Sequence, residues 1–256
     1  MEDLTYFYHY TSIENLALIL DSRHLRFTAL DVVDDKLEGK VRDLDYYSQF
    51  VFVNCWTKEE DESIPLWGMS ANNMAGVRIG LPKNPFNHYK HSDYLPTSNK
   101  SDYPFKGSTI INQLHFDKGI IISQDEHYLI EVIYTNDLEL LEPILIEPVS
   151  ENSQTIWSAK VGRYKTKAWA FQNEVRYRLI VHPRGKVLSS NDKDPVLTKD
   201  FMTKKHIDVP IRESALDMMR IMLGPKHTQA NKLIVEALLN KYKLKCKLET
   251  SKLLIR

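Results

Sequence analysis

Short strand-forming stretches and short helix-forming ones follow one another irregularly along this chain, and no unit repeats. That order argues against a repeating βαβ architecture and predicts an α+β fold. Clusters of β-branched and aromatic residues read as strands at Tyr6-Phe7-Tyr8-His9-Tyr10, Leu25-Arg26-Phe27-Thr28, Val51-Phe52-Val53-Asn54-Cys55-Trp56 and Val77-Arg78-Ile79-Gly80-Leu81. Residues 128–134 give another, and 175–182 a strongly alternating one with Val175, Tyr177, Leu179 and Val181 on one side. Two short strands at 245–248 and 252–255 are expected to close the chain.

Helices are expected where apolar residues keep the helical spacing. Thr11 with Glu14 has the capping-box pattern ahead of Ile13, Leu16, Ala17 and Leu20, which predicts a helix over 13–22. Leu37, Val41 and Leu44 predict a second over 35–47, with Asp34 and Asp35 as its cap. A helical turn at 64–69, a helix and loop within 150–164, and an amphipathic helix over 228–242 with Leu233, Ala237 and Leu238 inward complete the set. Residues 83–126, with Pro85, Pro96 and Pro104 among many Asn, Ser, His and Tyr, read as an irregular insertion that is partly helical near 109–115. No linker divides the chain, so residues 1–256 are expected to form one domain.

Hydrophobic residues make up 43% of the 256 and charged residues 27%, enough apolar material for a core. Lys+Arg and Asp+Glu both number 34, so net charge gives no pull toward nucleic acid or an anionic membrane. No apolar run approaches the roughly 20 residues that span a bilayer. Met1-Glu2-Asp3 is acidic, unlike the start of a secretory leader, and the expectation is a soluble, cytoplasmic protein with no membrane partner. Cys55 and Cys246 lack metal-site spacing and are expected as buried or half-buried thiols. His88 and His91 beside Asp93 read as surface histidines, so no metal is expected.

The nucleophile-elbow, P-loop, dinucleotide-fingerprint and zinc-protease motifs are all missing, and nine glycines make a glycine-rich phosphate cradle improbable. What remains is His9, at the end of an apolar strand beside a helix start, and Glu174 far downstream in Trp169-Ala170-Phe171-Gln172-Asn173-Glu174-Val175-Arg176. Cleaving the glycosidic bond of a dinucleotide with a cationic nicotinamide creates an oxocarbenium-like sugar, which needs a carboxylate nearby and a held ribose. Glu174 could stabilise that charge and His9 could orient the ribose. Tyr10 could stack on the nicotinamide, and Thr11 with Arg26 could meet the pyrophosphate. Each residue also has a structural reading. His9 suits a satisfied core histidine, Glu174 and Arg176 a structural ion pair on one strand face, and Thr11 a helix cap. Trp56, Trp67 and Trp169 suit a core. Arg176, Arg178 and the lysines of 160–167 offer phosphate contacts or a solvated face.

Tyr8-His9-Tyr10-Thr11-Ser12, Leu25-Arg26-Phe27, the Trp67 segment with Gly76-Val77, Trp169 to Arg176, and Ile221-Met222-Leu223-Gly224-Pro225 occur in order along nearly the whole chain. This series resembles a widespread bacterial family known as domain of unknown function 2971. Its opening is in turn similar to toxin-type ADP-ribosyltransferases, with a Y-H-F/Y-T strand and a late catalytic Glu. The Val33-Asp34-Asp35-Lys36 stretch departs from the Asn-Asp-Pro-like segment of the family, and Met69 stands where a tyrosine or histidine is often found. The resemblance implies a single α+β domain with a mixed or antiparallel split sheet. It assigns Glu174 as catalytic acid, His9 as the ribose-binding histidine, Tyr10 and Thr11 as the frame of the nicotinamide pocket, and Arg26 to the phosphates or the target. The implied activity is NAD-dependent ADP-ribosyl transfer to a macromolecule (RNA, DNA or protein) by a bacterial toxin or antiphage effector, with NAD as substrate and an antitoxin or chaperone as partner. The alternatives are a non-catalytic nucleotide-binding or sensor module and an NAD glycohydrolase.

Overall fold

The chain begins with β1 (Tyr6–Thr11), whose aromatic run leads directly into α1 (Ile13–Ser22), and β2 (His24–Ala29) follows after one residue. The computed structural model describes residues 5–90, 108–112, 120–123, 129–150, 153–183 and 202–255. In order come β3 (Val51–Thr57), α2 (Ile64–Ser70), β4 (Val77–Pro82), β5 (Tyr89–Lys90), β6 (Ser108–Thr109), β7 (Ile120–Ser123), β8 (Leu129–Glu131) and β9 (Ile133–Thr135). Then follow α3 (Leu138–Leu141), β10 (Ile146–Ser150), β11 (Ser153–Ile156), β12 (Tyr164–Thr166) and β13 (Glu174–Pro183). The described chain ends with β14 (His206–Pro210), α4 (Glu213–Asp217), β15 (Arg220–Leu223), α5 (Gln229–Lys241) and β16 (Leu248–Thr250). This is an α+β structure with a mixed sheet and few helices.

Among the described residues the main sheet has ten strands, and its centre is β3. Along one edge β3 pairs antiparallel with β13 from Glu174↔Thr57 to Ile180↔Val51. The opposite edge is shared. β1 reaches it only at Tyr8↔Thr57, and β2 only at Thr28↔Val53 and Ala29↔Phe52. The sheet therefore splits, with β1 continuing through β4 and β15 to β16 and β2 continuing to β14. The β15–β16 pair is parallel, which makes the sheet mixed. Leu16 and Leu20 of α1 and Val235 and Leu239 of α5 join Phe7, Ile79, Ile221 and Leu223 in one apolar cluster. Burial of such side chains stabilises by about 1.5–3 kcal/mol each.

Gly76 closes α2 against β1. A Cβ there would lie 2.3 Å from the Thr11 carbonyl oxygen, so only glycine permits this approach.

Several local expectations are corrected. Ser12, not Thr11, caps α1: its side chain accepts the Asn15 N–H at 3.1 Å, while the buried Thr11 ends β1. Residues 35–47 form no helix. Asp35 accepts the Leu37 N–H instead, Gly39 adopts φ 76°, and only Val41 of the expected stripe is buried. The segment is flanked by 3-10 turns at Leu30–Val32 and Tyr47–Phe50. Residues 150–164 hold the second strand of the β10–β11 hairpin and a 3-10 turn at Ser158–Lys160. In α5 Leu238 packs against the core as expected, but the buried residues are Val235 and Leu239, while Leu233 is 56% exposed and Ala237 is exposed too. The stretch 128–134 breaks at Val132, whose N–H donates to the Glu174 carbonyl. The C-terminal strands reduce to β16.

Within the expected insertion, β5 pairs with β6 and β7 pairs with β13, so its described parts join sheets. The segment 109–115 begins in β6, and its residues 113–115 lie outside the described residues, as do His91 and Asp93. Among the described residues, no helix is long and apolar enough to cross a membrane.

Candidate active site at the sheet split

Where β1 and β2 diverge, residues 54–56 of β3 have no strand partner on that edge. Side chains replace the missing ladder. His9 Nδ1 lies 2.9 Å from the Cys55 carbonyl oxygen, and Asn54 Nδ2 donates to the Arg26 carbonyl at 2.9 Å. A cavity of about 270 Å³ opens over this gap, walled by β1, β2, β3, the start of β13, Asp34 and Glu38. Its volume is near the lower end of the roughly 300–1,000 Å³ usual for ligand sites.

His9 is fixed in one tautomer. A carbonyl oxygen only accepts, so Nδ1 carries the proton and, in the neutral ring, Nε2 is the acceptor. Burial lowers the His9 pKa, against the opposing hydrogen bond to Cys55, so the ring is neutral at pH 7. Trp56 lies against it with ring centroids 5.2 Å apart. The ring is half-buried and lines the cavity. Such a histidine can accept a hydrogen bond from a sugar hydroxyl.

Glu174 lines the same cavity and is 6% exposed. Arg176 Nε donates to its Oε1 at 2.6 Å, and Lys165 Nζ donates to Oε2 at 3.1 Å. Burial acts to raise the Glu174 pKa, but the charges of Arg176 and Lys165 prevail and hold it at about 2. Burial and the carboxylate of Glu174 push the Cys55 thiol well up, so it stays protonated. A carboxylate has about four lone-pair sites, so these partners leave Glu174 acceptor capacity.

Glu38 completes the cluster. Its side chain is 1% exposed, ion-paired to Arg176, with Lys165 Nζ 3.5 Å from its Oε2. Lys165 also donates to Gln172 at 2.8 Å and sits 4.7 Å from the centre of the Trp169 ring. The W-x-x-x-x-E-x-R spacing thereby acquires a physical content: Trp169 covers the lysine that holds Glu174, and Arg176 holds it from the other side.

The structure brings His9, Tyr10, Arg26 and Glu174 to one cavity, whereas Thr11 is not on its wall. Thr11 accepts a hydrogen bond from Asn15 Nδ2 at 3.1 Å. Tyr10 is 4% exposed, packs edge-on to Trp67 and accepts the Ser63 N–H, which leaves it little face for stacking. Arg26 is exposed and makes paired bonds to Asp208 at 2.9 and 3.0 Å.

The expected ion pair of Glu174 with Arg176 is present, but it is buried and borders the cavity. Neither Arg176 nor Arg178 lies on a solvated face. Arg176 also donates to the Gly162 carbonyl, and Arg178 donates to Ala159 and Val161. Trp56 and Trp67 are core, while Trp169 is only partly buried.

Glu38 and Lys165 escaped sequence reasoning. Glu38 fell within a false helix, and Lys165 within a run of lysines read as surface. No local signal in the sequence marks either charge as buried. Chemically, the cavity combines a neutral imidazole acceptor, a carboxylate ionised at pH 7 and an aromatic wall. Comparison of the chain with known protein families, curated proteins and solved structures gives no match.

Proposed function

We propose that this protein cleaves NAD at the sheet split and transfers the ADP-ribosyl group to a macromolecular acceptor. The observation that carries the reading is that His9 and Glu174, 165 positions apart in sequence, border one cavity beside Trp56. His9 Nε2 accepts a ribose hydroxyl and fixes the sugar. Glu174 stabilises the positive charge that develops as the bond from ribose C1′ to the nicotinamide nitrogen breaks. The bonding pair leaves with nicotinamide, which becomes neutral. A nucleophile of RNA, DNA or protein then bonds to C1′ and loses its proton. With water in that place the reaction is NAD hydrolysis. Arg26, exposed at the rim, is free to exchange Asp208 for a phosphate.

The likeness of the ordered motifs to domain of unknown function 2971, and of the opening strand to toxin-type ADP-ribosyltransferases, supports the same chemistry. The test is nicotinamide release by the purified protein, wild type against Glu174→Gln. Wild-type release with a loss of roughly 10²–10³-fold in the variant is expected. Equal release by both, or release by neither, overturns the assignment. Labelled ADP-ribose appearing on added RNA, DNA or protein separates transfer from hydrolysis.

A second reading, a nucleotide-binding or sensor module without catalysis, is favoured by one observation: both carboxylate oxygens of Glu174 are already engaged by cations. Thermal protection by NAD without nicotinamide release would select it.

A further inference from the structure

Glu38 comes from the irregular segment 33–46, which is pinned in place. Val41 is 5% exposed in the core, and the Asp43 carboxylate accepts the N–H groups of Leu145 at 3.0 Å and Ile146 at 2.7 Å. The segment delivers Glu38 to the cavity wall, against the same two cations that hold Glu174. Two carboxylates face one guanidinium and one ammonium, so these four groups sum to zero charge. Without Glu38 they would carry one net positive charge where a cationic sugar has to form. A charge buried there is weakly screened by solvent and salt.

We propose that Glu38 is a positioning residue of this site. It shares Arg176 and Lys165 with Glu174, so that Glu174 keeps its negative charge directed at the cavity and no net positive charge opposes the oxocarbenium-like transition state. This inference rests on the NAD-cleavage reading and adds to it a residue that acts through Arg176 and Lys165.

Steady-state NAD cleavage by the full chain tests it, with wild type, Glu38→Gln and the double variant Glu38→Gln/Lys165→Met. The single substitution keeps the shape and adds one net positive charge. Its kcat is expected to fall roughly 10- to 100-fold, with KM within about twofold. The double variant restores neutrality and is expected to recover at least about tenfold in kcat over the single one, a rescue that loss of mere scaffolding would not give. An unchanged kcat in Glu38→Gln, or a double variant no faster than the single, overturns the proposal.

Should urea unfolding show that Glu38→Gln does not fold, the double variant decides alone. Turnover within about tenfold of wild type supports the proposal, and its loss overturns it. A wild type that releases no nicotinamide removes the NAD-cleavage reading and this proposal together, whereas an active wild type with an unaffected Glu38→Gln removes only the proposal.

Discussion

Over residues 174–179 the two rows of side chains on β13 are almost equally buried and chemically opposite. Val175, Tyr177, Leu179 and Val181 are 0–2% exposed in the apolar core. Glu174, Arg176 and Arg178, on the other face, are 1–6% exposed. The first row stabilises by removing apolar surface from water. The second loses hydration and persists because its charges meet counter-charges or backbone carbonyls. A strand interior could have been apolar on both sides. That one side is charged, and that it borders a cavity, marks where stability has been exchanged for chemistry.

Substitution within each row tests this contrast most directly. Among the described residues, Arg176→Met leaves Glu174 and Glu38 with Lys165 as their one paired cation and is expected to destabilise by about 3–5 kcal/mol. Leu179→Ala on the apolar row should cost about 2–5 kcal/mol. Urea unfolding measures both. A neutral or stabilising Arg176→Met would mean that the charged row is dispensable to folding and would erase the distinction.

Acid separates the rows by mechanism. The folded Glu174 pKa of about 2 lies below its ordinary value of 4.5, so its stabilising contribution is fully present above about pH 4.5 and is lost as pH falls toward 2. That loss is expected to be on the order of a few kcal/mol, and Glu174→Gln should flatten the fall. His9, with a lowered pKa, acts in the same direction at higher pH: its contribution is complete above about 6.5 and declines below, because the folded site resists the charged ring. Stability against pH measured for wild type, Glu174→Gln and His9→Asn assigns the two windows.

The smallest effect belongs to an ion pair outside the cluster. Arg26 and Asp208 are 60% and 45% exposed, so Asp208→Asn should change stability by less than about 1 kcal/mol. A larger loss would show that burial is not what distinguishes the β13 pair.

Strands at the centre of the sheet were legible because β-branched and aromatic residues cluster in β1, β2, β3, β4 and β13, and burial there agrees with local preference. The false helix at 35–47 shows the limit. Its apolar spacing was helical, yet Asp35, Gly39 and Asp43 settle that backbone through a turn, a left-handed φ and distant amides. Likewise, Leu233 keeps a helical period in α5, but the neighbouring surface selects Val235 and Leu239. Of the site, His9 and Glu174 were legible as residues of suitable chemistry. Glu38 and Lys165 were not, since nothing local marks which charge will be buried.

The sequence by itself determined the α+β class, the first helix and the alternation of β13, because these follow from interactions between residues a few positions apart. Only the tertiary structure decided that β1 and β2 share one edge of β3, and hence that a gap opens with His9 on one side and Glu174 on the other. It also decided that Glu174 is held by two buried cations and balanced by Glu38. Strand order and the pairing of Glu38 depend on contacts between residues distant in sequence, from Thr28 with Val53 to Glu38 with Arg176, and no local period encodes them.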